Sequence, residues 1–201
     1  SAQTFDLLTR VEKQMAATHS VLVHQEVRNI LSEPRYKEPR RVVQHGWKGQ
    51  SQFDEDGILE EIFNRIGIKY YNAVEIGAGD GLENNTIYLL QQGWNCVWVE
   101  AMPPMEWAKG YDPNHKFDKS DYMGASLQSL TRLADKKGYA LVGCGITGAN
   151  AYYVRKDLLD DLFQEPYTAE NHYEPGRYWL ARGYYSGMPQ NNFGKHLTKA
   201  P

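Results

Sequence analysis

Cysteine is nearly missing from this chain: 201 residues hold only Cys96 and Cys144. That excludes a disulfide framework as the source of stability. Both cysteines fall in apolar, strand-like runs, so each is predicted to be a buried free thiol. Long apolar runs are missing too. None approaches the ~20 residues that span a bilayer, and no signal-peptide pattern is present. These absences predict a reducing, cytoplasmic setting and no membrane partner. An excess of one charge sign is also lacking. The net charge of −3 gives no reason to expect nucleic acid as the main partner. Basic residues gather only at Arg35, Lys37, Arg40 and Arg41, read here as a solvated linker in preference to a phosphate site. No internal repeat is visible. No Ser/His/Asp or Cys/His arrangement can be assembled from spacing.

What is present is a concentrated glycine signal. Ala73-Val74-Glu75-Ile76 suits a buried strand, and Gly77, Gly79 and Gly81 follow at alternate positions. A helix-forming stretch with Leu89 and Leu90 comes next. Strand, tight turn and helix together make the ligand corner of many α/β folds. Glycine takes such turns freely and lets backbone approach a ligand, because it has no Cβ. An ordinary strand–helix connection is the competing reading. A dinucleotide fingerprint would place its third glycine where Leu82 stands, which disfavours a dinucleotide oxidoreductase. A second acid, Glu100, ends the next apolar run, 19 positions after Gly81. An acid at that distance, at a strand tip, suits a ribose diol.

The remaining periodicity places the other elements. Phe5, Leu8, Val11 and Met15 predict an amphipathic helix over Thr4–Ala17, and a second, shorter one is predicted over Val21–Leu31. Ser32 to Gly49 reads as a connection. Residues 1–49 therefore form a helical extension and linker, and 50–201 the main domain. Ser51 is predicted to cap a helix, with Asp54 three positions on as its capping-box partner. Ile58, Leu59, Ile62, Phe63 and Ile66 supply its apolar face, and Gly67 stops it. Strand Asn72–Ile76, helix Asn84–Gln92 and strand Asn95–Glu100 follow. Ser126 is predicted to cap a helix closed by Gly138. Tyr139–Gly143 and Ala149–Val154 read as an antiparallel hairpin. A short helix is predicted over Asp157–Phe163. Trp94 and Trp98 read as core residues. Most of the histidines, His172 among them, read as solvated.

Several stretches taken together resemble the FkbM-like group of class I S-adenosylmethionine-dependent methyltransferases. They are Ser51-Gln52-Phe53-Asp54-Glu55-Asp56-Gly57, the E-x-G-x-G-x-G run from Glu75 to Gly81, Asn84-Asn85-Thr86, and Gly93-Trp94-Asn95-Cys96-Val97-Trp98-Val99-Glu100. Gly124-Ala125-Ser126-Leu127, Lys137 to Gly143 and Gly148 to Val154 continue the match. The resemblance implies a Rossmann-like α/β sheet with a C-terminal antiparallel hairpin. It implies S-adenosylmethionine as methyl donor and a hydroxyl of a sugar or other small molecule as acceptor. Glu75, Gly77, Ala78, Gly79, Asp80 and Gly81 match the cofactor turn, and Glu100 the ribose-binding acid. Asn85 and Thr86 match residues near the cofactor at the start of the following helix. Gln52 and Asp56 match the helix that approaches the methionine end. Relatives continue from the second strand through three more. Here Glu100 runs directly toward Pro103-Pro104-Met105-Glu106-Trp107, which resembles the segment after the fifth strand, so the sheet is expected to be abridged in the middle.

Methyl transfer needs acceptor and methyl held in line, and a base helps when the acceptor is a hydroxyl. Asp112, His115 and Asp121 are the candidate bases, in a long segment without periodicity. With Asp118 they could also offer metal ligands, but a polar loop is the preferred reading and no metal is expected. A reduced fold that binds without turnover is the alternative function. The N-terminal helices invite a homodimer.

Overall fold

The computed structural model describes residues 2–77, 84–99 and 126–180. Ala78, Gly79, Asp80, Gly81, Glu100, Asp112, His115, Asp118 and Asp121 lie outside the described residues.

The chain begins with one helix, α1 (Ala2–Leu31), where two were predicted. No glycine or proline interrupts these residues. The hydroxyls of Thr9 and Thr18 donate to the carbonyls four residues back, at 3.0 Å each, so they sit within the helix without breaking it. Pro34 ends it, since the residue before a proline is pushed to extended backbone, as Glu33 is here.

Helix α2 (Glu55–Ile66) lays Ile58 and Ile62 into the main core. Gly67 stops it in the left-handed region, at φ +72°. The N-terminus departs from the prediction. Asp54, not Ser51, occupies the cap position, and its side chain makes no cap bond. Instead two acids of the first turn reach backwards. Glu55 Oε2 accepts from the Phe53 N–H at 2.7 Å, and Asp56 Oδ2 accepts from the N–H groups of Gly49, Gln50 and Ser51 at 2.7, 2.6 and 3.0 Å. Ser51 is buried inside the loop that Asp56 organises.

Strand β1 (Asn72–Ile76), helix α3 (Ile87–Gln91) and strand β2 (Asn95–Val99) form a parallel β-α-β unit, Val74 lying opposite Val97. Helix α4 (Leu127–Lys136) begins as predicted, the Ser126 hydroxyl accepting from the Ser129 N–H at 3.2 Å. Strands β3 (Tyr139–Cys144) and β4 (Ala151–Arg155) make the predicted antiparallel hairpin. Among the described residues it forms a two-stranded sheet of its own, separate from the β1–β2 sheet. The architecture is thus mixed helix and sheet. The central correction concerns burial: Val74 and Ile76 are 66% and 76% exposed, so β1 is a strand but not a buried one. Among the described residues β1 has β2 as its one strand neighbour, and a two-stranded sheet offers apolar side chains little cover.

The main core lies instead between α2 and the β3–β4 hairpin. It holds Val42, Ile58, Ile62, Ala140, Val142, Tyr152, Val154, Leu159 and Phe163. The predicted helix over 157–163 is absent. A 3₁₀ turn covers Lys156–Leu158, and Asp160 at φ +36° breaks the helical path so that both Leu159 and Phe163 turn inward. Helix α5 (Ala169–His172) closes this side. A smaller core joins Ile30 of α1 to Tyr36, Val43, Ile146 and Leu180. Aromatic contacts tie the β-α-β unit to the body: Phe63 lies 4.7 Å from Trp94, and Trp47 lies 4.8 Å from Tyr88. Trp94 is buried as predicted, whereas Trp98 is substantially exposed.

Candidate functional site

The β1–α3 corner is built around one carboxylate. Glu75 stands near the end of β1. Its Oε1 accepts from the Asn85 N–H at 3.0 Å, and its Oε2 from the Thr86 N–H at 3.1 Å and the Thr86 hydroxyl at 2.5 Å. That hydroxyl in turn accepts from the Trp98 indole N–H of β2 at 2.7 Å. One hydrogen-bonded chain therefore links β1, the entry to α3, and β2. Gly77 closes the same end. It takes φ +81°, a conformation costly for any residue with a Cβ, and its N–H donates to the Val99 carbonyl at 2.7 Å. Asn84 is buried, and its amide nitrogen has no hydrogen-bond partner. A buried amide donor without a partner costs free energy unless something accepts from it.

Three predicted residues, Glu75, Asn85 and Thr86, are thus brought together. Glu75 has both oxygens engaged by the chain, which makes it a positioning residue for this corner. Glu75→Ala should strand three donors and lower stability by about 2 kcal/mol, read as a lower urea midpoint; an unchanged midpoint would contradict this role.

Gln52 and Asp56 lie just before and within the first turn of α2. Asp56 is buried and spends Oδ2 on the 49–51 loop, while its Oδ1 is unpartnered. Gln52 is exposed and borders a cavity of about 340 Å³ between α1 and the 46–54 segment. Val23, Val27, Trp47, Phe53, Asp54 and Leu180 contribute to its walls. Trp47, through its contact with Tyr88, links this region to α3.

Sequence reasoning missed three groups. Asp54 is 4% exposed, and its Oδ2 accepts from the Ile146 N–H at 2.9 Å. Burial pushes its carboxyl up to about 6, partly offset by that bond. His172 is buried, not solvated. Its Nε2 lies 3.0 Å from the Gln164 carbonyl, so that nitrogen carries the proton. Burial, then the Arg41 charge, push it down to about 4. Glu174, also buried, receives Arg35, Tyr36 and Arg177. The basic cluster is only in part a solvated linker: Arg35 and Lys37 are exposed, whereas Arg40 and Arg41 are half-buried. Arg35 pairs with Glu174, Arg40 with Glu38 and Asp161, and Arg41 with the Asn171 side chain. All of these partners except Glu38 lie over a hundred residues away in sequence, and no local signal announces the distant ones. Cys144 is buried as predicted, its thiol pushed by burial to about 12; Cys96 is only half-buried.

Among the described residues, no group of three His, Cys, Asp or Glu side chains is placed to hold a metal ion. No described helix is long and apolar enough to cross a membrane. No family model, no curated protein and no solved structure matches this chain.

Proposed function

We propose that this chain is an S-adenosylmethionine-dependent methyltransferase acting on a hydroxyl of a sugar or other small molecule. The observation that supports it is the β1–α3 corner: a parallel β-α-β unit, a left-handed Gly77 at the strand end, and Glu75 fastening the entry to the next helix. Ligands of α/β folds bind outside the carboxyl ends of parallel strands, which is where this turn lies. When bound, the cofactor supplies a sulfonium methyl group. The residues present are chemically suited to it. The Asn84 amide is a buried donor lacking an acceptor, and Glu100 is an acid of the type that takes a ribose diol. Glu75 and Thr86 hold the corner in shape, and methyl transfer depends chiefly on such pre-set geometry. Asp112, His115 and Asp121 remain the proposed bases.

Isothermal titration with S-adenosylmethionine and S-adenosylhomocysteine tests this, using wild type and Gly79→Val. Wild type should bind both, and the variant should lose about 100-fold, because a side chain at a cofactor-turn glycine blocks backbone approach. A folded wild type that binds neither would overturn the proposal. A second reading, a reduced methyltransferase fold that binds without turnover, is favoured by one observation. The four strands of the described residues form two separate pairs instead of one sheet. Cofactor binding with no methylation of any sugar or hydroxylated acceptor would select that reading.

A further inference from the structure

Helix α1 carries two apolar stripes, and the body uses only one. Val23, Val27, Ile30 and Leu31 turn toward Tyr36, Val43, Phe53 and Ile146. In a seven-residue frame they occupy the positions called b, c and f. The second stripe lies opposite. Leu8, Met15 and Leu22 recur every seven residues at a, with Val11 and Thr18 at d, and Phe5, Leu7 and Val21 flank them. Leu8, Met15 and Leu22 are 63%, 68% and 59% exposed. The stripe runs past the point where the other face meets the body, so it is not a continuation of the core. A seven-residue repeat of apolar residues is the pattern by which helices pair with one another. A helix of 30 residues is about 45 Å long, and helices draw most of their stability from packing an apolar face.

We propose that this stripe is a self-association surface, through which α1 of one copy pairs with α1 of a second copy. Charge identifies the occupant. The helix holds three acids, Asp6, Glu12 and Glu26, and three bases, Arg10, Lys13 and Arg28. An anionic membrane favours a surplus of Lys and Arg on the polar face, and none exists here. A second copy suits a balanced helix. In a parallel pair each g residue meets the partner's e residue five positions on. That sets Leu7 against Glu12, Gln14 against His19 and Val21 against Glu26. No like charges meet along the seam. Polar Gln25 at d and Asn29 at a end the apolar seam where, with Leu22, they border a groove shared with Trp179 and Leu180 of the body. The inference is independent of the methyltransferase reading.

Sedimentation of the full chain across about 1–100 μM, with and without anionic vesicles, tests the proposal. Wild type should be a dimer, and Leu8→Glu/Met15→Glu should be a monomer. Both positions are exposed, so the double variant should still unfold cooperatively, with the urea midpoint that wild type shows when diluted below its dimerisation range; a variant without a cooperative transition would count against the proposal. A wild-type monomer over the whole range would overturn it. So would a dimer that the double variant leaves intact, or a monomer that co-sediments with vesicles.

Discussion

Glu174→Ala should lower stability by about 3–5 kcal/mol, the range for breaking one side of a buried ion pair. The Glu174 side chain is 3% exposed. Its Oε1 accepts from Arg35 at 2.9 Å, and its Oε2 from the Tyr36 hydroxyl at 2.6 Å and Arg177 at 2.8 Å. Removing the carboxylate leaves the largely buried Arg177 with the Ile146 carbonyl, at 2.8 Å, and the Tyr36 hydroxyl, at 3.3 Å. Burial first, and the bond to Glu174 second, push the Tyr36 hydroxyl's pKa up, so it stays a donor in need of an acceptor. The consequences reach beyond the cluster, because Tyr36 also lies in the small core that anchors α1. Arg35→Ala is the comparison. Its guanidinium is 38% exposed, and its loss should cost under about 1 kcal/mol. Urea unfolding of both variants measures the difference. Equal costs would show that burial of Glu174 is not what makes the cluster matter.

The second large effect is a pair of opposed pH dependences. Asp54 has its pKa raised by burial from 3.8 to about 6. Between those values the folded state binds more protons than the unfolded. Its contribution is therefore fully present below pH 4 and lost as pH rises through 6, about 3 kcal/mol in all. His172 runs the other way. Its pKa falls from 6.5 to about 4, so its contribution is present above 6.5 and lost as pH falls through 4, again about 3 kcal/mol. Between pH 4 and 6 the two slopes oppose each other at about 1.4 kcal/mol per pH unit each, and wild-type stability should be nearly flat from these groups. Asp54→Asn keeps an oxygen for the Ile146 N–H and removes the charge. It should gain about 2–3 kcal/mol at pH 7 and then lose stability on acidification. His172→Gln should show the reverse slope, gaining stability from pH 6 toward 4. Urea midpoints at pH 4.5, 5.5 and 7 give the slopes. Variant curves parallel to wild type would remove both assignments.

The chain's local grammar was legible without coordinates. Ser126 before Leu127 meant a capped helix, and Gly67 and Gly138 meant stops in the left-handed region, because each depends on a residue and its near neighbours. Strand β1 and the hairpin were readable for the same reason. In the candidate site, the Glu75–Asn85–Thr86 grouping lay within eleven residues and was visible as a motif; what Glu75 does there was not. Whether a carboxylate faces a ligand or spends both oxygens on its own backbone is decided by the fold around it.

The sequence by itself determined strand β1, helix α3, strand β2, the Ser126-capped α4 and the β3–β4 hairpin, in that order, since periodicity and capping act over a few residues. Only the tertiary structure decided that β1 is exposed, that the four described strands form two separate pairs, and that Asp54, His172 and Glu174 are buried. Burial is set by what arrives from elsewhere. The Ile146 N–H reaches Asp54 across 92 positions, and Arg35 reaches Glu174 across 139. No residue's immediate neighbours carry that information, and the same side chain in water would have neither its charge cost nor its partners.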